Sequence, residues 1–404
     1  MAAKPELLCP AGDRERLDMA LAYGADAVYL AGNAFGMRAF AGNFDREGLA
    51  AAVEAAHAKG VRVHVTCNTL ARNQEAAQLP EYLEYLDSIG ADAVIAAGVE
   101  VLDLCKRHAP HVQVHMSTQT GITNYEAARV WHELGASRVI LARELSLDEV
   151  AELKAKAPRG LEVECFVHGA MCVSWSGRCL LSNYMTGRDA SRGACAQPCR
   201  YQYALMEEKR PGEYFPVFEE NGETFIMNSR DMCMIDHIPE LLRAGVDSLK
   251  IEGRAKSAYY AAMTAAAYRH GVDAAAEGRP LDPVWRAEVD KVSHRHYSTG
   301  FWFGQPGQYT DSARYVRDWQ VLAVVESCDG LGNARLSLRN KFAAGDEIEV
   351  VGPGVPAFPM SAPMMRDVDG FELREPRNPR MEFYMRLPRP APPLSIVRAC
   401  RPSS

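Results

Sequence analysis

The chain has 404 residues, 48% of them hydrophobic and 24% charged, and a formal net charge of −7. That length accommodates one large domain and a smaller one, and the acidic balance excludes binding of nucleic acid by bulk charge, leaving only a local basic patch for such a role. No apolar run approaches the roughly 20 residues that span a bilayer, and the opening MAAKPELLCPAG has no signal-peptide core, so a cytoplasmic location with reduced thiols is expected.

Eight short apolar segments read as strands: 7–9, 27–30, 61–66, 93–96, 112–116, 138–141, 161–167 and 248–251. Helical stretches fall between them at 14–23, 45–59, 80–89, 100–107, 125–134 and 146–155, and most end in Gly or a basic turn. The phrases GADAVYL, GADAVIA, GASRVIL and GVDSLKI share one shape, a glycine closing a helix before an apolar strand begins. Near-continuous apolar strands alternating with helices predict a parallel sheet covered by helices. Eight such units in about 270 residues fit an α/β fold of the (β/α)8 TIM-like barrel type, with a doubly wound open sheet as the alternative, because a sequence does not display closure. The barrel is expected over 1–275, with a Cys-rich insertion at 168–245 on the C-terminal face. A connecting region at 276–317 follows, then a small all-β domain at 318–404, whose segments alternate apolar and polar residues between Gly and Asp turns. From Phe371 to Ser404 that domain carries seven Arg against three Glu.

The insertion opens with HGAMCVSWSGRCLLSNYMTGRDASRGACAQPCR, which holds Cys172, Cys179, Cys195 and Cys199 at the spacing C-x6-C-x15-C-x3-C. Structural zinc sites usually pair their ligands in two short knuckles, and only the last pair here has that form. A [4Fe–4S] cluster needs four thiolates and tolerates varied loops, so it suits the spacing at least as well. Zinc and a set of scattered buried thiols are the other readings. Cys233 is a spare ligand outside the tight run; Cys9, Cys67 and Cys165 read as core or barrel lining, and Cys105 sits in a helix.

Barrel enzymes place their chemistry at the C-terminal ends of strands. Those positions here are Cys67, Asn68 and Thr69, His115, Ser117 and Gln119, Arg143 and Glu144, His168, and Lys250, Glu252 and Arg254. His115 and His168 are candidate acid–base groups because imidazole titrates near neutrality, and Glu252 joins them as a catalytic candidate. The plain alternatives are a structural ion-pair network for Lys250, Glu252 and Arg254, and backbone ties for Asn68 and Gln119. His64 reads as a satisfied core histidine. No H-E-x-x-H helix or G-x-S-x-G elbow is present, and a protease reading retains only a Cys172–His168 pair.

The opening ELLCPAGDRERLDMALAYGADAVYLAG, the HGAMCVSWSGRCLLS and GACAQPCR runs, NSRDMCMIDHIPELLRAGVDSLKIEGR, the YSTGF tail and RNKFAAGDEIEVVGPG together resemble peptidase family U32 across nearly the whole chain. The resemblance implies an enzyme class whose peptidase name is historical, with members that hydroxylate tRNA wobble uridine, a ribosomal RNA cytidine or ubiquinone precursors. It implies an iron–sulfur cluster on the cysteines matching Cys172, Cys179, Cys195 and Cys199. The long architecture fits the members that convert tRNA uridine 34 to 5-hydroxyuridine with prephenate as cosubstrate. Prephenate is a dicarboxylate, so Arg38, Arg143 and Arg254 are its candidate partners, with Asn68, Gln119 and Lys250 beside them. A tRNA anticodon region would meet the arginines near the cluster and Arg374, Arg377 and Arg380, with Tyr201, Tyr203, Tyr297, Phe301, Trp302 or Phe303 stacking on its bases. The FWF run also reads as packing, and the oligomeric state is open.

Overall fold

In the computed structural model eight parallel strands close into a barrel: β1 (Glu6–Pro10), β2 (Ala27–Leu30), β3 (Arg62–Cys67), β4 (Ala93–Ala96), β5 (Gln113–Met116), β6 (Arg138–Ile140), β7 (Glu162–Gly169) and β8 (Ser248–Ile251). β8 pairs with β1 on one side and β7 on the other, which excludes the open sheet. The structure describes residues 4–36, 42–171, 181–188, 195–196, 205–206, 214–215, 218–220, 223–225, 230–306 and 315–401.

Helices α1 (Arg14–Ala22), α2 (Arg46–His57), α3 (Leu79–Ser88), α4 (Val99–His108), α5 (Tyr125–Glu133), α6 (Leu147–Lys156), α7 (Ile238–Arg243) and α8 (Ala258–Ala276) accompany the strands. Their starts follow from side-chain caps. Asp13, Asp45, Asn124, Ser146 and Ser257 each accept a backbone N–H of the first turn that has no partner within the helix. Their ends follow from the repeated glycine: Gly24, Gly90 and Gly245 take φ of 102°, 76° and 76°, a left-handed step that side chains resist. α8 is buried almost all round, since it lies between the barrel and the second domain.

Two short strands extend the barrel sheet. Asp231–Cys233 runs antiparallel to the end of β7, placing Cys233 opposite His168, and pairs in turn with Tyr297–Ser298. Pieces of two and three residues carry no alternation, so they were not legible in the sequence.

The second domain is one antiparallel sheet of β9 (Trp319–Cys328), β10 (Asn333–Leu338), β11 (Glu347–Gly352), β12 (Val355–Ser361), β13 (Met365–Arg366), β14 (Glu372–Leu373), β15 (Glu382–Arg386) and β16 (Ile396–Cys400), in the order β12-β11-β16-β9-β10-β15-β13-β14. It encloses its own core around Leu336, Val350, Phe383 and Val397. A buried ion pair docks it on the barrel. Arg398, fully buried, grips the equally buried Glu288 with both terminal nitrogens, donates to Tyr259 Oη at 2.9 Å and reaches Glu349 at 2.9 Å. Arg398 is thereby committed to the domain interface.

Candidate active site at the barrel mouth

The lower barrel is filled by charge rather than by branched apolar side chains. Arg138 on β6 donates to Glu6 on β1 at 2.5 Å, and on β7 to Glu164 at 2.9 Å and Glu162 at 2.6 Å. Lys250 on β8 donates to the other Glu164 oxygen at 2.9 Å, and Ser248 Oγ donates to Glu6 and Glu164. Arg138, Glu6, Glu164 and Lys250 are all buried. Burial alone would raise the Glu164 carboxyl, but Lys250 and Arg138 overcome it and hold the group down at about 2. Lys250 also lies 4.6 Å from the centre of the Tyr29 ring, a cation–π contact. The structure thus supports the ion-pair alternative for Lys250, although its partner is Glu164 and not Glu252.

His64 and His115 belong to the same layer. Their rings meet edge to face at 4.7 Å, and the Nδ1 atom of each is buried without a hydrogen-bond partner. His64 is therefore a core histidine, as expected, but not a satisfied one, because the neighbour it packs on is another imidazole. Burial, with Arg138 and Lys250 close by, pushes His64 down to about 3 and His115 well below its ordinary value. Both stay neutral at physiological pH. Donor atoms of His64, His115 and Glu164 lie within 4.8 Å of one another, a spacing a cation can bridge. Two fixed cations already occupy Glu164, however, so a divalent ion would enter against like charge. His115 is thereby part of the barrel filling, below the mouth.

Above this layer the strand ends present polar groups. Arg254 donates to Thr66 Oγ1 at 3.0 Å and Asn43 Oδ1 at 3.3 Å, which turns a buried guanidinium toward the β1–β3 side of the mouth. Tyr29 Oη bridges Ile251 O at 3.1 Å and Glu252 Oε2 at 3.4 Å. Gly169 takes φ of 104°, and a Cβ there would lie 2.4 Å from Glu252 O, so this glycine lets the ends of β7 and β8 close together. On the opposite side Arg143 donates to Ala170 O at 2.9 Å and covers the Phe166 ring. Ser117 Oγ donates to Gln119 Oε1 at 3.1 Å, and Asn68 is tied through its backbone to Phe35. Tyr29 and Glu252 are thus one contact pair, Arg254 with Thr66 and Asn43 a second group, and Arg143 with Phe166 a third. Arg38 lies outside the described residues.

His168 lies at the C-terminal end of β7, as expected, but its ring faces the helix layer. The β7–β8 register shifts between Lys250 and Ile251, and His168 packs against Tyr260 and Tyr268 of α8 and against Tyr297, at ring distances of 5.8, 5.3 and 5.4 Å. Its Nδ1 lies 3.3 Å from Tyr268 Oη and its Nε2 is buried without a partner. Burial pushes its pKa to about 3, with His294, Lys256 and Arg286 adding to the effect. Cys233, its neighbour across the strand pair, is also buried, and burial raises its thiol to about 11. Of the four clustered cysteines, Cys195 is half-buried, while Cys172, Cys179 and Cys199 lie outside the described residues. Cys9, Cys67 and Cys165 are buried, as expected of core thiols, and Cys105 is buried as well.

Residues 12–312 match the model of peptidase family U32, and residues 317–398 match that of the U32 C-terminal domain. The chain belongs to peptidase family U32. This U32 chain is 38% identical to tRNA hydroxylation protein P1 of Bacillus subtilis, over 98% of this chain and 94% of that protein. It is 35% identical to tRNA hydroxylation protein P of Escherichia coli, over 87% of this chain and 86% of that one. A match to the 23S rRNA 5-hydroxycytidine C2501 synthase of Escherichia coli, at 36% identity, covers 72% of this chain and 42% of the synthase. No helix among the described residues is long and apolar enough to cross a membrane. Among the same residues, the U32 histidine–carboxylate pairs His57–Asp92, His108–Glu84 and His111–Asp87 lie at the surface without a hydrogen bond to a serine or cysteine. Sequence reasoning missed Glu6, Arg138 and Glu164. Their signal was present: charged residues recur inside the strand segments ELLCP, RVIL and EVECFV, where barrel filling is ordinarily apolar.

Proposed function

We propose that this chain hydroxylates wobble uridine 34 of tRNA at carbon 5, with prephenate as cosubstrate and a [4Fe–4S] cluster on Cys172, Cys179, Cys195 and Cys199. The observation that carries the reading is the near-full-length similarity to tRNA hydroxylation proteins, at 38% and 35% identity. The donor set supports the cluster by its chemistry, four thiols in a run that begins three residues beyond the end of β7. When bound, such a cluster supplies one-electron redox chemistry.

The chain's own residues do the binding and orienting. Replacing the C5 hydrogen of uridine by hydroxyl is a two-electron oxidation; the reading assigns the hydroxyl to prephenate, whose C–OH bond breaks and which takes up the displaced hydrogen and is reduced by the same two electrons. The Arg254 guanidinium, oriented by Thr66 and Asn43, receives one carboxylate, and Arg143, braced on Ala170 O, receives the other. Glu252, oriented by Tyr29 Oη, is the acid–base group at the mouth. His168, neutral and facing tyrosines, positions the β7 end from which the cysteine run departs. The ion-paired layer beneath closes the barrel floor, so substrates enter and leave from the cysteine side.

Mass spectrometry of tRNA nucleosides from cells with and without the gene tests this reading. Loss of 5-hydroxyuridine derivatives, restored by the wild type and not by Cys179→Ala, supports it. An unchanged tRNA profile, in a strain without a second copy of the activity, overturns it. The similarity to a ribosomal RNA hydroxylase makes 5-hydroxycytidine in ribosomal RNA the next product to measure.

A further inference from the structure

The outer face of the C-terminal sheet carries one cross-strand row that neither the barrel nor the domain's own core uses. Ser327 on β9 lies opposite Arg335 on β10, Arg335 opposite Tyr384 on β15, Tyr384 opposite Arg366 on β13, and Arg366 opposite Glu372 on β14. Residues directly opposite in an antiparallel pair share a face and lie about 5 Å apart. Tyr384 therefore stands between two arginines in the middle of a sheet, not at its edge. The flanking residues Phe383, Met385, Leu336 and Met365 point inward and are buried, so Tyr384 is outside by strand alternation.

Tyr384 is 43% exposed, and its hydroxyl has no hydrogen bond to a described residue. Arg366 is exposed and likewise forms none. Arg335 has only Glu382, at 3.6 Å, and its Nε is buried without an acceptor. Arg386, two residues along β15, donates to Asn333 at 2.8 Å. The acids on this face are Glu382 and Glu372, against Arg335, Arg366 and Arg386. The domain differs in charge from the rest of the molecule: Arg317 to Arg401 hold twelve Lys and Arg against eleven Asp and Glu, whereas the remainder is strongly acidic.

We propose that this Arg335–Tyr384–Arg366 row is a docking platform for a single-stranded segment of the RNA substrate, away from the base that is modified. The Tyr384 ring stacks under one unpaired base, and the two arginines take the phosphates on either side of it. A ring flanked by cations is what a strand of alternating π-faces and phosphates complements, and such stacking tolerates any base. The platform serves a step the mouth does not, holding the RNA body while one nucleotide enters the barrel. The Arg398–Glu288 clamp keeps the platform at a fixed place relative to that mouth. The inference rests on the tRNA reading above.

The test uses the full chain and an unmodified tRNA transcript, with affinity followed by fluorescence anisotropy over a salt series. Tyr384→Ala is expected to weaken binding about tenfold, and Tyr384→Phe to leave it unchanged, because stacking needs the ring and not the hydroxyl. Arg335→Gln with Arg366→Gln is expected to flatten the logarithmic salt dependence by about 1.5, close to the sum for two lost phosphate contacts. Tyr384 is exposed, so an unchanged melting temperature confirms that the variants fold. If the wild type supports hydroxylation in cells and binds tRNA, while Tyr384→Ala binds as tightly, the platform is overturned and the tRNA reading stands; the face is then open to a protein partner. If the wild type neither binds tRNA nor supports hydroxylation, both fall together.

Discussion

The two ends of the barrel solve opposite problems with the same residue types. At the floor, Arg138, Glu6, Glu164 and Lys250 are buried and paired with one another, so every charge has its partner inside the protein. At the mouth, Arg254 and Arg143 are held by neutral groups, the Thr66 hydroxyl, the Asn43 amide and the Ala170 carbonyl. A guanidinium that donates to a neutral acceptor forms a hydrogen bond there and not an ion pair, whereas one that donates to a carboxylate is paired in charge as well. Charge at the floor is therefore paired within the fold, and the two mouth arginines are the carboxylate-binding groups of the proposed reaction.

Breaking the floor should have the largest effect. Arg138→Ala removes the guanidinium shared by the buried Glu6 and Glu164 and leaves these carboxylates to Arg62 and Lys250, and a loss of about 3–5 kcal/mol in urea unfolding is expected. A loss under about 1 kcal/mol would mean that water enters the barrel and solvates the acids, and the contrast between the two ends would disappear. Acid should act next. His64 and His168 titrate at about 3 when folded and near 6.5 when unfolded, so the unfolded chain gains protons first as pH falls. Their stabilisation is complete above about pH 6.5 and is lost toward pH 3, amounting to about 2 kcal/mol per histidine at pH 5. Glu164, held at about 2, adds its own loss only below its unfolded value near 4.5. Unfolding free energies measured at pH 7.5 and pH 5 check this; a flat profile would show that these imidazoles are hydrated.

The mouth should respond in activity rather than stability. Arg254→Lys keeps the charge but loses the two-pronged geometry, so a rise of about tenfold in KM for prephenate is expected, with the melting temperature little changed. Steady-state kinetics of tRNA hydroxylation would measure it. Equal loss of stability and activity would assign Arg254 to the floor's kind of role.

How much of this was legible beforehand depended on whether the signal was periodic. All eight barrel strands and the six helices between the first seven could be placed from apolar runs, caps and the repeated Gly-Ala-Asp-Ala-Val punctuation, because local propensity and tertiary fold agree there. Closure was not legible, since β1 and β8 find each other across about 240 residues with no local trace. The mouth arginines were found by position, at strand ends. The floor was missed because Glu6, Arg138 and Glu164 sit within strands, where a charged residue looks like a solvent-facing one until the partner strand is known. His168 was placed at the end of its strand, where it lies, but the side to which its ring turns follows a register shift that a sequence does not display.

The smallest effect tests whether the mouth is mechanically separate from the helix layer around it. Ser146 begins α6 three residues after Arg143, and its side chain caps the helix while Glu149 returns a bond to the Ser146 backbone. Ser146→Ala removes one half of this reciprocal cap and should cost about 1 kcal/mol, read from the urea midpoint. Arg143 donates to Ala170 O and covers the Phe166 ring, both on the β7 side. Activity at saturating prephenate should therefore stay at the wild-type level. If it falls together with the urea midpoint, the β6–α6 loop transmits helix fraying to Arg143, and the mouth is less independent of its surroundings than its neutral acceptors imply.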